Sequence, residues 1–133
     1  MQSLVDKYNY YILDFDGTLW NGSTRIGGVH TLVLELYRRE KLVLYYTNGG
    51  YCSVAQNFGA IVSWINRELA PEDAEFILGK LKIEHVYNTA LLAAKFLLQT
   101  LDTSKKILVM GNEGTLEEIQ LQGLKNAFTL PTT

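Results

Sequence analysis

Cysteine is nearly absent. Cys52 stands alone among 133 residues, so no internal disulfide can form and the chain suits a reducing compartment. Histidine occurs only as His30 and His85, neither beside a cysteine or carboxylate cluster, which makes both weak metal candidates. There is no excess of charge of either sign. A net charge of −2 leaves no basic field for nucleic acid or an anionic membrane to exploit. No apolar run approaches membrane-spanning length, and the stretch Met1–Lys7 lacks a basic start followed by an apolar core. Neither an anchor nor a leader is therefore expected, and the cytoplasm is the expected location. Repeats and low-complexity tracts are missing too.

What is present is the composition of a globular domain, 47% hydrophobic and 20% charged. Residues 1–133 are expected to form one domain that buries roughly two thirds of its unfolded surface. The pattern alternates strand and helix, which predicts an α/β fold with a mostly parallel sheet covered on both faces. Val29, Leu32, Val33, Leu36 and Tyr37 recur at helical spacing and are expected to form the inner face of a first crossover helix, which returns the chain to a strand over 42–46. Ser53 is the expected cap of a second helix whose stripe is Val54, Phe58, Ile61, Val62, Ile65 and Leu69. Pro71 suits the first turn of a third, with Glu72, Asp73 and Glu75 near its positive end. A short strand at 85–87, a helix at 90–101, a strand at 106–110 and a helix at 115–122 complete the pattern.

The most informative segment is Asp14-Phe15-Asp16-Gly17-Thr18, directly after the apolar run Tyr10-Tyr11-Ile12-Leu13, which reads as a buried strand. In an open α/β sheet, ligands sit beyond the carboxyl ends of the strands, so both carboxylates are aimed at the ligand crevice. On a continuing strand Asp14 and Asp16 would share a face. Two like charges held so close are costly unless a cation sits between them or one takes up a proton. Gly17 lets the chain turn sharply. Taken alone, Asp-x-Asp-Gly fits an ordinary turn as well as a site. A calcium-binding EF-hand is excluded by spacing, because its Gly would fall at Leu19 and its Glu at Arg25.

With Leu13, Leu19 and Trp20 added, the segment resembles the first signature motif of the haloacid dehalogenase superfamily, and Thr47-Asn48 after Leu42–Tyr46 resembles its second. Leu19-Trp20-Asn21-Gly22, Gly27-Gly28-Val29, the helix around Thr89–Leu97 and Val109-Met110-Gly111-Asn112-Glu113-Gly114 resemble the branch containing 4-nitrophenylphosphatase, phosphoglycolate phosphatase and pyridoxal phosphate phosphatase. The resemblance implies a three-layer Rossmann-like core without its cap domain, and magnesium-dependent hydrolysis of a small phosphomonoester. By the same resemblance, Asp14 is the nucleophile that forms an aspartyl phosphate and Asp16 the general acid and base. The Asp14 carboxylate and the Asp16 carbonyl would hold Mg2+, while Thr47, Asn48 and the amides of the turn at Gly49 would bind the phosphoryl oxygens.

The chain also departs from that branch. Gly49-Gly50-Tyr51-Cys52 stands where a second Asn, a Ser and basic residues are usual, and no third-motif Lys or fourth-motif acidic pair is found before Thr133. Glu117-Glu118 reads as a solvated helix face. Lys105 and Lys106 read as surface charges flanking a strand, Gly111–Gly114 as a strand-to-helix loop, Trp20 as packing beside the site, and Cys52 as a buried neutral thiol. Two further readings stay open: a non-catalytic relative that binds phosphate, magnesium or a partner chain, and a receiver-like module phosphorylated on Asp14. A homodimer or a missing carboxyl-terminal half is the expected partner, since a shortened sheet exposes an edge and an apolar patch.

Overall fold

The computed structural model describes residues 3–131. Met1 and Gln2 of the amino-terminal stretch, and Thr132 and Thr133 at the end of the expected domain, lie outside them. Helix α1 (Leu4–Lys7) leads into β1 (Tyr10–Asp14), followed by a hairpin of β2 (Trp20–Asn21) and β3 (Thr24–Arg25). Helix α2 (Val29–Arg38) returns the chain to β4 (Leu42–Thr47). Helices α3 (Val54–Glu68) and α4 (Pro71–Leu78) then lead through a 3₁₀ turn at Ile83–His85 to β5 (Val86–Asn88). Helix α5 (Thr89–Thr100), β6 (Ile107–Leu108), α6 (Glu113–Leu121) and β7 (Ala127–Phe128) follow. The fold is α/β as expected, with a parallel sheet in the order β1-β4-β5.

Both crossovers step the same way across this sheet, and right-handed connections then place α2, α3 and α4 on one face. The register puts Leu13, Tyr45 and Val86 side by side on that face. They pack with Val33, Leu36, Ile61, Trp64, Ile65 and Ile77 into the main core. Within it the Tyr37 and Tyr45 hydroxyls meet at 3.2 Å. Burial pushes both phenols above their ordinary value, Tyr45 the further.

Several sequence expectations are corrected here. The second face of the sheet is open at β1, where Tyr10 is 71% and Ile12 70% exposed, so β1 is not a buried strand and its outer edge is unpaired among the described residues; at β5, Lys95 of α5 lies over the Tyr87 ring on that face. On α2, Leu32 is exposed and Leu34 buried. The two flank the apolar stripe on opposite sides, and Arg38, one turn beyond Leu34, is bonded at 2.8 Å to Asp73, so α4 covers the Leu34 side. The strand expected over 106–110 shrinks to Ile107–Leu108, leaves Met110 exposed, and pairs with β7 rather than with the main sheet. A second small core of Ala94, Val109, Ile119, Leu124 and Ala127 forms there. The short strand moves to Val86–Asn88, with His85 in the turn before it.

The caps behave as read. Ser53 accepts from Gln56 N at 3.2 Å while the Gln56 side chain accepts from Ser53 N at 2.8 Å, a reciprocal capping box. Pro71 opens α4, with Glu72 and Asp73 in its first turn.

Candidate active site

Strand β1 ends at Asp14 and the chain turns at once, rather than continuing as a strand through Asp16. Leu19 N and Trp20 N both donate to the Phe15 carbonyl, at 2.9 and 3.3 Å, and Gly17 N donates to Trp20 O at 2.6 Å. Gly17 has φ +84°, a left-handed conformation that favours glycine. Phe15 and Leu19 anchor the turn in the core, which leaves Asp14 and Asp16 both exposed. Asp14 Oδ1 accepts from Phe15 N at 2.8 Å, and Asp16 Oδ1 accepts from Trp20 Nε1 at 3.1 Å. Trp20 does pack beside the site, edge-on to Phe15 at 5.3 Å, and it also orients the second carboxylate.

Asp14 pairs in register with Tyr46, so Thr47 lies at the same carboxyl edge of the sheet, on the neighbouring strand. Thr47 is 4% exposed, and its hydroxyl oxygen accepts from Gly49 N at 3.1 Å. Its own proton therefore remains to be donated elsewhere. Asn48 is exposed. The following loop is held through its carbonyls: Asn48 O accepts from Thr89 Oγ1 at 3.3 Å, Gly50 O from Thr115 Oγ1, and Cys52 O from Asn88 Nδ2 at 2.8 Å. Among the described residues, the N–H groups of Gly50, Tyr51 and Cys52 donate to nothing. Unpaired N–H groups in succession beside a hydroxyl donor are groups that an anion can accept from. Cys52 is half-buried rather than buried.

Asn88, Thr89, Thr115 and Glu118 were not among the residues singled out for the site. Asn88 caps α5 by accepting from Leu91 N at 2.9 Å, and its place just before the apolar run 90–97 was the available signal. Glu118 is a correction. It is 3% exposed, not solvated, with Oε2 accepting from Val54 N at 2.8 Å and Oε1 from Gln122 Nε2 at 2.9 Å. Glu117 is exposed as expected. His30 meets the Arg25 guanidinium at 2.9 Å, and His85 Nδ1 accepts from Lys82 N at 3.3 Å, so both histidines have structural partners.

No group of three or more His, Cys, Asp or Glu side chains converges among the described residues. The two exposed carboxylates offer hard oxygen ligands. Such a pair fits a divalent cation that keeps much of its shell as water. An open cleft of about 670 Å³ lies between Tyr51, Gln56 and the Gly111–Gly114 loop, next to the free amides. A more apolar cavity of about 330 Å³ between α3, β5, α5 and α6 includes neither Asp14 nor Asp16.

Residues 11–125 match the profile of the haloacid dehalogenase-like hydrolases. The chain belongs to that family. Its relatives include phosphoglycolate phosphatase 2 of Arabidopsis thaliana, 27% identical over 92% of this chain and 37% of the relative. Human chronophin is 31% identical over 96% of this chain and 40% of its own length. Among solved structures, the p-nitrophenyl phosphatase of Archaeoglobus fulgidus superposes with a TM-score of 0.68 at 20% identity, over 92% of this chain and 40% of that one. The glycerol phosphate phosphatase of Mycobacterium tuberculosis, solved with calcium, gives 0.70 at 19% identity, over 97% and 33%. These superpositions establish the haloacid dehalogenase fold. The chain spans about two fifths of the length of the curated relatives it matches.

Proposed function

We propose that residues 1–133 are one partial core domain of a magnesium-dependent phosphomonoester hydrolase that acts on a small phosphorylated metabolite through an aspartyl phosphate. The observation that carries this reading is the meeting of two differently held carboxylates, Asp14 and Asp16, with a loop of free amides at one end of a parallel sheet. Asp14 Oδ2, the oxygen not occupied by the Phe15 amide, attacks phosphorus and forms the new P–O bond as the ester P–O bond breaks. Asp16 delivers its proton to the leaving alkoxide. It then takes a proton from the water that attacks the aspartyl phosphate, which releases phosphate and restores Asp14. Gly49 N, expected among the phosphate donors, is bonded to Thr47 Oγ1 instead, so Thr47 Oγ1–H, the Asn48 side chain and the amides of Gly50, Tyr51 and Cys52 hold the phosphoryl oxygens through both steps. The Asp14 carboxylate and the Asp16 carbonyl would hold the cation, whose charge offsets the repulsion between carboxylate and phosphate.

A reading in which the chain binds phosphate or another polypeptide without turnover is favoured by one observation, the open edge and open face of β1, on which Asp14 itself lies. The two readings separate in one assay. The purified chain, with magnesium and p-nitrophenyl phosphate, is expected to turn over substrate, and Asp14→Asn to abolish that turnover. Turnover that survives in Asp14→Asn would reject Asp14 as nucleophile. No turnover in a folded sample would leave the binding reading.

A further inference from the structure

We infer that α6 is a clamp on the anion-binding loop and that Glu118 is its positioning residue, an inference that rests on the phosphate-site reading above. Three contacts from α6 converge on the segment after Thr47. Thr115 donates to the Gly50 carbonyl, and the Glu118 carboxylate accepts from Val54 N at 2.8 Å. Gly114 lies so close to the loop that a Cβ there would stand 2.5 Å from the Tyr51 oxygen and 2.9 Å from Cys52 Cα. Glu118 is 64 residues from Val54 in sequence, is 3% exposed, and is held on its other oxygen by Gln122. A carboxylate so buried is retained only with its hydrogen bonds satisfied, so its position dictates where Val54 lies.

This has a chemical consequence. The amino end of α3 would otherwise be an anion site in its own right. Here Val54 N is taken by Glu118 and Gln56 N by Ser53, so an incoming phosphate is steered to the amides of Gly50, Tyr51 and Cys52. The Gly50 carbonyl, held by Thr115, fixes the peptide plane that carries the Tyr51 N–H, while the Asn48 and Cys52 carbonyls, held by Thr89 and Asn88, anchor the loop at both ends. Glu118 never touches phosphate. It fixes the carboxyl end of the loop whose amides do.

The test compares Glu118→Ala and Glu118→Gln in the full chain. Amide hydrogen exchange is followed residue by residue, and inorganic phosphate is titrated in the presence of magnesium. In Glu118→Ala, exchange at the bonded Ser53 and Val54 amides should quicken about tenfold and phosphate affinity should fall about three- to tenfold, the size expected for a lost helix-end acceptor. Glu118→Gln keeps an acceptor and should stay within about twofold of the parent on both readouts. A purely structural role would lower the melting temperature without moving phosphate affinity or singling out the loop amides, and that result would overturn the clamp. Should Glu118→Ala not fold, Thr115→Val releases the Gly50 carbonyl, and unchanged exchange at Ser53 and Val54 would likewise overturn it. If the parent chain binds no phosphate, the proposed function fails, while the exchange comparison still decides the clamp.

Discussion

Asp14 and Asp16 are the same residue type two positions apart, yet the chain holds them differently. Asp14 ends a strand and accepts from the next backbone amide, whereas Asp16 sits in a turn and accepts from an indole N–H. The turn between them depends on Phe15 and Leu19 being buried and on Gly17 adopting a left-handed conformation. A single residue is equally decisive on the far side of the loop. Gly114→Ala places a methyl group against the Tyr51 and Cys52 backbone, which cannot move aside as a side chain could. We expect it to cost about 1–3 kcal/mol, read as a lowered urea midpoint, with faster exchange at the bonded Ser53 and Val54 amides that end the loop. A midpoint equal to the parent's would mean that α6 does not press on the loop.

At the scale of elements, α3 is held at its start by both a local and a distant device. The local one is the Ser53–Gln56 box, so Ser53→Ala should destabilise the fold by about 1 kcal/mol in chemical denaturation, and Ser53→Asp should recover most of it. Helix α2 and strand β4 are joined by the buried Tyr37–Tyr45 pair. Desolvation raises both phenols above their unfolded values, so the neutral forms favour the fold. The stability they confer is fully present below about pH 10, the unfolded tyrosine value, and is lost as pH rises through the higher folded values. The chain should therefore unfold at lower urea concentration at about pH 11 than at about pH 8, and replacing both tyrosines by Phe should shrink that difference. An unchanged difference in the double variant would assign the alkaline loss to other groups.

At the scale of the whole molecule, the sheet is finished on one face and unfinished on the other. Tyr10 and Ile12 project from β1 into solvent, Leu42 lies beside them on β4, and the outer edge of β1 keeps its backbone groups unpaired among the described residues. An apolar strand edge of this kind recruits another strand. Sedimentation should show association that grows with concentration, and Ile12→Lys should suppress it at little cost to stability, because the side chain is already exposed. A monomer at every concentration, with no binding of an apolar dye, would contradict this expectation.

The amino-acid sequence by itself determined what depends on neighbours along the chain. It marked the Asp14–Thr18 turn, the Thr47-Asn48 end of β4, the Ser53 and Pro71 helix starts, and the α/β alternation, since each is written in a local pattern of apolar spacing, capping residues and glycine. Only the tertiary structure decided which face of each element is covered. Apolar spacing put Leu32 rather than Leu34 on the inner face of α2 until α4 packed against the other side, and Ile12 reads as core until that face of β1 proves to be uncovered. Glu118 shows the same limit most sharply. Nothing near it in the chain distinguishes it from the exposed Glu117, and its burial follows from an amide 64 residues away that needs an acceptor.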